Sequence, residues 1–193
     1  MASETVHSNA VLSNCGRYRY MLSRKWGPRP SAWFVTLNPS TADHEQNDPT
    51  ILRCMDFARS WGCGGVNVVN LYAWRATIPS EMFRAQIDGL DIVGEENDYY
   101  LRACRMASFE DQTPVVAAWG NNARSDRVAE VLEILGPGLQ RLGFTNSGAP
   151  KHPLARGTSY IPKGTKLRPY PEPKPEEPEP PPFLGWLSLE GAW

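Results

Sequence analysis

The sequence predicts an α/β fold, a three-layer α/β/α sandwich around a central, mostly parallel sheet. Apolar runs of strand length recur along the chain and stop at turn-forming residues. Segments in which apolar residues recur at helical spacing lie between these runs. Strands that alternate with helices pair in parallel, because each helix carries the chain back to the end of the sheet where the next strand begins. The three strongest runs occupy residues 32–37, 66–71 and 114–119.

The remaining elements follow from local signals in chain order. Charged and apolar residues alternate at 17–22, which predicts an edge strand with one solvated face. The turn residues at 27–30 then lead into the first buried strand. Asp48 followed by Pro49 predicts the N-cap and the first turn of a helix that ends before Gly62. Further helices are predicted at about 95–107 and 126–135, and a short strand at 139–142.

Composition divides the 193 residues into one domain and three flanking parts. With 41% hydrophobic residues, the chain can bury one sizeable core. We place the domain at 17–170, after an N-terminal extension at 1–16. The Pro/Glu-rich residues 171–182 predict a stiff polyproline spacer. The apolar segment 183–193 is expected to fold back onto the domain, to pair with a second copy or to bind a partner protein, and the sequence leaves these three open.

The formal net charge of −1 conceals a strong asymmetry. Residues 141–170 carry six basic and no acidic side chains, whereas residues 171–193 carry five Glu and one Lys. A basic stretch beside Gly, Pro, His and Asn is typical of a surface that contacts phosphate. Chance enrichment of Lys and Arg in a solvated loop is the alternative interpretation. The basic stretch therefore favours nucleic acid as a partner.

The sequence also argues against several classes of protein. There is no run of about 18 apolar residues and no basic-then-apolar leader, so we expect no membrane span, no secretory signal and a cytoplasmic location. Four Cys residues are widely scattered without a CxxC pair, and only three His residues accompany them. We therefore expect reduced thiols, no metal site and no cofactor.

Three polar residues follow elements that a parallel sheet would bring together. The first buried run ends at Asn38, because Pro39 cannot continue a strand. The second ends at Asn70, and His152 lies in the late basic loop. In open α/β sheets, ligands bind outside the carboxyl ends of the strands. Asn38 is therefore the first candidate for a site residue.

The motifs around these residues read Thr36-Leu37-Asn38-Pro39-Ser40, Asn70-Leu71-Tyr72-Ala73-Trp74-Arg75 and Lys151-His152-Pro153-Leu154. Their type and order resemble the site motifs of the uracil-DNA glycosylase superfamily, which are a Gly-x-Asn-Pro-type turn, a base-reading Asn and a His-Pro-Ser-type loop. Over residues 17–170 the chain is most similar to a bacterial and phage domain family of formerly unknown function, typified by LNPSTAD and VVNLYAWRAT. That family itself resembles a distant branch of the superfamily. The resemblance implies a uracil-DNA glycosylase-like sheet.

The resemblance implies roles for the catalytic candidates. Cleavage of an N-glycosidic bond needs one group that positions water and another that stabilises the departing base. Asn38 fits the first role, although an amide is a poor base. Asp43 is the nearest carboxylate for charge stabilisation or proton acceptance, and its alternative role is a turn or cap. Asp48 has the same two roles open, with capping favoured. His152 is expected to donate to the base carbonyl, and the alternative is a surface histidine without a functional role.

Other residues are implied to hold the base. Asn70 offers one acceptor and two donors, enough to read a pyrimidine edge, and its alternative role is to satisfy backbone groups. Pro39, Ser40 and Tyr72 complete the expected base-binding set. The aromatic side chain that stacks on the base stays open between Trp74, Tyr72 and Trp119.

A further group is implied to bind the DNA strand. Leu154 is the expected wedge that enters the base stack and holds the target nucleotide out. The candidates for phosphate contacts are Lys151, Arg75 and Arg156.

The function implied is that of a monofunctional DNA glycosylase, which hydrolyses the bond to a damaged or modified pyrimidine and leaves an abasic site. The opening turn contains no Lys for a Schiff base, so hydrolysis without strand cleavage is expected. Ser40 stands where the superfamily has Gly or a bulky Tyr. A pocket without that Tyr is expected to accept substituted pyrimidines such as hypermodified phage bases, in a role in antiviral defence. A hydrolase of free modified nucleotides or nucleosides and a non-catalytic nucleic-acid-binding module stay open as alternatives.

Overall fold

The structure is a computed structural model that describes residues 5–172, apart from Thr41 and His44. These residues form seven strands and four α-helices. The strands are β1 (His7–Leu12), β2 (Arg19–Lys25), β3 (Ser31–Thr36), β4 (Gly65–Asn70), β5 (Val115–Ala117), β6 (Gln140–Arg141) and β7 (Arg168–Pro169). The helices are α1 (Pro49–Ser60), α2 (Pro79–Ile87), α3 (Asn97–Asp111) and α4 (Ser125–Leu135). Short 3-10 turns lie at Gly120–Asn122 and Gly157–Ser159.

All seven strands belong to one sheet, in the order β1-β2-β4-β3-β5-β6-β7. The central strands β4, β3, β5 and β6 pair in parallel, whereas β1, β2 and β7 join the edges by antiparallel pairing. Because half of the pairings are antiparallel, the prediction of a mostly parallel sheet is correct only for the centre. The short turn at 26–30 reverses the chain, so β2 runs opposite to β3 and therefore opposite to β4, the strand between them. The short connection between β1 and β2 likewise allows only antiparallel pairing, because parallel neighbours need a crossover of about a dozen residues or more.

Helices cover both faces of the sheet, as the prediction of a layered α/β fold requires. Successive residues of β3 point to opposite faces. Phe34 packs in a cluster with Phe57 of α1. Val35 packs in a second cluster with Leu101 of α3 and Val131 of α4. This second cluster also contains residues of α2. Helix α1 therefore covers one face, and the other three helices cover the opposite face.

Strand β2 is an interior strand, so the prediction of an edge strand at 17–22 is wrong. Its outer neighbour is β1, which lies within residues 1–16, the part that the sequence sets apart as an extension. Arg19 is only 2% exposed, although its alternation with apolar residues at 17–22 predicts a solvated face, and Arg24 further along the strand is 1% exposed. Both guanidinium groups donate to backbone carbonyls in the loop between β3 and α1. Protein acceptors take the place of water on this side of the strand.

Most of the other predicted elements are confirmed. Asp48 caps α1, since its Oδ1 accepts from the Ile51 N–H at 2.9 Å, and Pro49 is the first helical residue. Strands β4, β5 and β6 and helices α3 and α4 lie where predicted, with shifted ends. Helix α2 is not among the predicted elements. Its N-cap residue Ile78 makes no side-chain hydrogen bond, although Pro79 at its first position is a start signal. Most of the Pro/Glu-rich spacer and all of the apolar segment 183–193 lie outside the described residues.

The cysteines are unpaired and differ in their surroundings. Cys54 and Cys104 are buried, Cys63 is half-buried and Cys15 is exposed. Burial raises the pKa of the Cys54 and Cys104 thiols, which keeps both protonated. In the part of the chain that the structure describes, no helix has the length and apolar content needed to cross a membrane.

Gly64 lies where two backbone segments meet, and it provides a test of the turn between β2 and β3. Its carbonyl accepts from the N–H groups of Trp26 and Gly27 at 2.9 and 3.0 Å, and a Cβ at Gly64 would lie 2.2 Å from the Arg29 carbonyl oxygen.

We predict that Gly64→Ala lowers the free energy of unfolding by about 1–3 kcal/mol, because the backbone must shift. In the matched control Gly27→Ala, the new Cβ meets nothing closer than 3.8 Å, so the change should stay within about 0.5 kcal/mol. Urea unfolding measures both, and equal stabilities would contradict this view of the turn.

Candidate functional site

A cavity of about 520 Å³ opens at the edge of the sheet where β3 and β5 end. Its lining comes from the residues after β3, the start of α1, the 3-10 turn after β5 and the late basic loop. Arg19 also lines the cavity. Strand β2 runs antiparallel to β4, so β2 begins at the edge of the sheet where the parallel strands end. A volume of this size is typical of small-molecule sites, which span about 300–1,000 Å³. Ligand binding at the carboxyl ends of the central strands is thus sterically feasible.

Asn38 lines the cavity with its amide held in one orientation. The amide Nδ2 donates to the carbonyls of Pro39 and Ala76 at 3.0 and 2.8 Å. Both hydrogens of Nδ2 are thereby used, and Oδ1 makes no hydrogen bond to a described residue. Oδ1 is therefore the atom left to accept a hydrogen bond from water or from a ligand.

Asp48, and not Asp43, is the carboxylate that lines the cavity. Oδ1 of Asp43 accepts from the N–H groups of Glu45 and Gln46 at 2.8 and 2.9 Å, which is the turn role that its alternative interpretation describes. Asp48 is 9% exposed and uses Oδ1 for the helix cap. Its Oδ2 makes no hydrogen bond to a described residue. Capping and a role in the cavity are therefore compatible, because a carboxylate has two oxygens.

His152 lines the cavity as a neutral imidazole. Its Nδ1 accepts from the Leu154 N–H at 3.2 Å, so the ring proton is on Nε2. Burial lowers the pKa of His152, and the negative charge of Asp48 opposes that shift only in part. The side chain therefore offers an N–H donor without a positive charge.

The predicted base-binding residues separate into two groups. Ser40 lines the cavity, whereas Pro39, Asn70 and Tyr72 do not. Asn70 is fully buried behind the cavity, where its Oδ1 accepts from Thr36 Oγ1 at 2.7 Å. Tyr72 lies in the core and packs edge-on against the ring of Phe83, 5.8 Å away. The structure thus does not bring Asn70 and Tyr72 to the cavity lining, although Nδ2 of Asn70 and the Tyr72 hydroxyl are buried without a hydrogen-bond partner among the described residues.

The predicted DNA-contacting residues are also divided. Arg156 is exposed and lines the cavity, whereas Lys151 and Leu154 are half-buried in the same loop as His152 and do not line it. Arg75 lies outside the lining and donates to the Gly16 carbonyl at 3.1 Å. Of the three aromatic candidates for base stacking, the one that lines the cavity is Trp119.

Several lining residues escape prediction from the sequence. Asn121 and Asn122 follow β5 as Asn38 follows β3, so the rule of a polar residue after a buried strand would have found them. Arg19 has no such signal, because its alternation with apolar neighbours predicts exposure to solvent. Among the residues that the structure describes, no group of three or more His, Cys, Asp or Glu side chains is arranged to hold a metal ion.

The protonation of His152 gives a direct test of the site geometry. We predict that NMR titration of His152 yields a pKa below the usual value of about 6.5, with Nε2 carrying the proton above that pKa. Protonation of Nδ1 would set two N–H groups against each other, because the Leu154 N–H already points at it. A proton on Nδ1 in the neutral ring would contradict the geometry.

Comparison with known proteins places the chain in a family. A family model described as a protein of unknown function, DUF1643, matches residues 19–154. No curated protein and no solved structure matches the chain. The matched range contains Arg19, Asn38, Asp48 and His152 and covers more than half of the chain. The chain therefore belongs to the DUF1643 family of proteins of unknown function.

Proposed function

We propose that this protein is a DNA glycosylase that hydrolyses the N-glycosidic bond of a modified pyrimidine and leaves an abasic site. One observation carries the proposal: Asn38, Asp48 and His152 line a single cavity at the carboxyl ends of the central strands. These three residues supply an oriented amide oxygen, a carboxylate and a neutral N–H donor.

The reaction requires opposite kinds of stabilisation at the sugar and at the base. The bond between the sugar C1′ and the ring nitrogen breaks, and its electron pair stays on the base. A new bond forms between C1′ and a water oxygen, and that water loses a proton. Positive charge builds on the sugar and negative charge on the base before the new bond is complete. A suitable site therefore needs acceptors near the water and the sugar, and donors near the base.

Asp48 and Asn38 are suited to the water and the sugar. Oδ1 of Asn38 is free to accept a hydrogen bond from water, because its amide nitrogen is held by Pro39 and Ala76. Oδ2 of Asp48 would accept the proton that water loses and would stabilise the positive sugar. Asp48 thus takes the role for which the sequence suggests Asp43.

His152 is suited to the base. A neutral imidazole whose Nδ1 is occupied by the Leu154 N–H presents Nε2–H to the cavity. That group can donate to a base carbonyl as negative charge develops there, without the cost of burying a second charge. Trp119 would be the aromatic side chain that contacts the base, since it belongs to the same lining.

The cavity volume and its small lining side chains support a substituted pyrimidine as the substrate. Thr36 and Ser40 line the cavity near Asn38, and neither fills space as a Tyr would. We propose that the target is a hypermodified pyrimidine of invading phage DNA, and that base removal damages that DNA. Arg156, exposed at the cavity, is the proposed phosphate contact.

A hydrolase of free modified nucleosides is the second candidate. The observation that favours it is the burial of Leu154, which is half-buried and does not line the cavity, whereas a wedge must project into the base stack. An enzyme for free nucleosides needs no wedge and no strand contacts.

An abasic-site assay with matched carboxylate variants tests the proposal. The substrates are duplex and single-stranded DNA that carry uracil, mismatched thymine, or hydroxymethylated or glucosylated pyrimidine. We expect alkali-labile breaks with the wild type on one modified substrate, and a loss of about 10²–10⁴-fold in rate for Asp48→Asn and Asn38→Ala. Asp48→Asn keeps the helix cap, because Asn caps about as well as Asp.

Asp43→Asn is the control, since it changes a carboxylate in the same loop but outside the cavity, and its activity should stay near that of the wild type. Equal losses in the Asp43 and Asp48 variants would contradict the assignment. Base release from free nucleosides alone would favour the second candidate. DNA binding that survives Asn38→Ala, without base release from any substrate, would contradict both enzyme proposals and favour a non-catalytic nucleic-acid-binding module.

A further inference from the structure

Arg19 is a buried cation without a sufficient set of partners. It is 2% exposed and lines the cavity. Its Nη1 donates to the Ala42 carbonyl, and its Nε is fully buried with no hydrogen-bond partner. No carboxylate of the described residues forms an ion pair with it. Burial lowers the pKa of Arg19 to about 10, so the group is still charged at neutral pH.

The other buried arginines of the described chain have more acceptors than Arg19. Arg24 donates to four acceptors in its own strand and in the loop before α1. Arg127 pairs with Asp98 and Glu130 and also donates to the Leu71 carbonyl. Arg141 pairs with Glu172 and donates to a backbone carbonyl, although its Nε is also buried without a hydrogen-bond partner. Among the four, Arg19 is the one with a single acceptor in the described residues, and it is the one that lines the cavity.

An unpaired buried charge is costly, and an anion would remove that cost. Burial of a charged group is tolerated in proteins when it is paired and hydrogen-bonded. A guanidinium binds carboxylates and phosphates through parallel N–H donors. Nη2 of Arg19 makes no hydrogen bond to a described residue, so it is the donor left for an oxyanion of the ligand in the cavity.

Two further features of the cavity favour an anion. Its charged lining residues are Arg19, Arg156 and Asp48, and since His152 is neutral the net charge is +1. The N-terminus of the 12-residue helix α1 reaches the cavity at Thr50, whose N–H lies in the first turn. Helix N-termini attract negative charge. The Asp48 carboxylate opposes this attraction but does not outweigh two arginines.

We propose that Arg19 binds an anionic group carried by the pyrimidine ring of the ligand, so that the site selects a base with a negatively charged substituent over its neutral counterpart. This inference rests on the proposed function for the identity of the ring. Arg19 is almost fully buried, whereas Arg156 is exposed. A sugar phosphate that stays on the solvent side meets Arg156, and the group that reaches Arg19 lies on the base.

Binding of two nucleosides that differ only in charge tests the proposal on the wild-type protein. Isothermal titration calorimetry compares 5-carboxy-2′-deoxyuridine with neutral 5-carbamoyl-2′-deoxyuridine. We expect the carboxylate to bind about 10-fold or more tightly, as a charge-assisted bidentate contact would give. Equal affinities, tighter binding of the carbamoyl compound, or no binding of either at millimolar concentration would overturn the proposal.

Two variants test whether Arg19 causes the preference for the carboxylate. Arg19→Gln should reduce the preference for the carboxylate to about 1-fold, whereas Arg156→Gln should leave it unchanged. A preference that survives Arg19→Gln overturns the proposal. Titration with 2′-deoxyuridine 5′-monophosphate separates the two sources of an anion. If its affinity, relative to that of 2′-deoxyuridine, falls more in Arg19→Gln than in Arg156→Gln, Arg19 binds the sugar phosphate and the assignment to the base is wrong.

If Arg19→Gln does not fold, a crystal structure of the wild type with 5-carboxy-2′-deoxyuridine replaces it. The carboxylate should lie about 3 Å from the Arg19 guanidinium, and a carboxylate directed to solvent would overturn the proposal. The glycosylase proposal can fail separately. Charge-selective binding without base release from any DNA supports the role of Arg19 alone. Base release from neutral pyrimidines that Arg19→Gln leaves unchanged supports the glycosylase and overturns the role of Arg19.

Discussion

The loop that carries the candidate site depends on two guanidinium groups buried on β2. Arg24 donates to the carbonyls of Asp43 and Gln46 and to the Asn47 side chain, and Arg19 donates to the carbonyl of Ala42. A buried charge must find acceptors, so the loop between β3 and α1 turns its carbonyls inward. This arrangement fixes where the loop ends, and it ends at Asp48, which begins α1 and lines the cavity. The position of the carboxylate is thus a consequence of charges on a strand some 25 residues earlier in the chain.

The orientation of Asn38 depends on a second long-range contact. The segment after β4 docks on the segment after β3, where the N–H groups of Leu71 and Tyr72 donate to the carbonyls of Thr36 and Leu37 at 2.9 and 3.0 Å. The same segment supplies the Ala76 carbonyl that holds the amide of Asn38. Parallel pairing of β3 with β4 makes this possible, because it brings both strand ends to one edge of the sheet. Asn70 contributes from behind by accepting from Thr36. Asn70 thereby supports the wall of the cavity, and its base-binding role stays a prediction.

The sequence predicts the features that local chemistry decides. A buried strand followed by Asn38-Pro39 and a helix that starts at Asp48-Pro49 are confirmed, because strand burial, proline geometry and capping act within a few residues. At Arg19, by contrast, the alternation of charged and apolar residues predicts a solvated edge strand, and this prediction is wrong. A strand with charged residues on one face is usually solvated, but β1 covers the outer edge of β2, and the loop between β3 and α1 supplies the acceptors for the buried arginines. The sequence does not show which of Asp43 and Asp48 lines the cavity, since both precede backbone N–H groups that they can cap. Which of them faces the cavity is decided by tertiary packing.

The cavity combines groups that would destabilise the fold if each stood alone. Asp48 is a buried carboxylate, Arg19 is a buried cation that forms no ion pair with a carboxylate of the described residues, and His152 is an imidazole whose pKa burial lowers. The negative charge of Asp48 favours the charged forms of both Arg19 and His152, but burial opposes it at each. The result is a cavity with free acceptors at Asn38 and Asp48 and free donors at His152 and Arg19. Bond cleavage that leaves positive charge on one fragment and negative charge on the other needs both kinds of group. The cost of burying them unpaired is what the proposed ligand would relieve on binding.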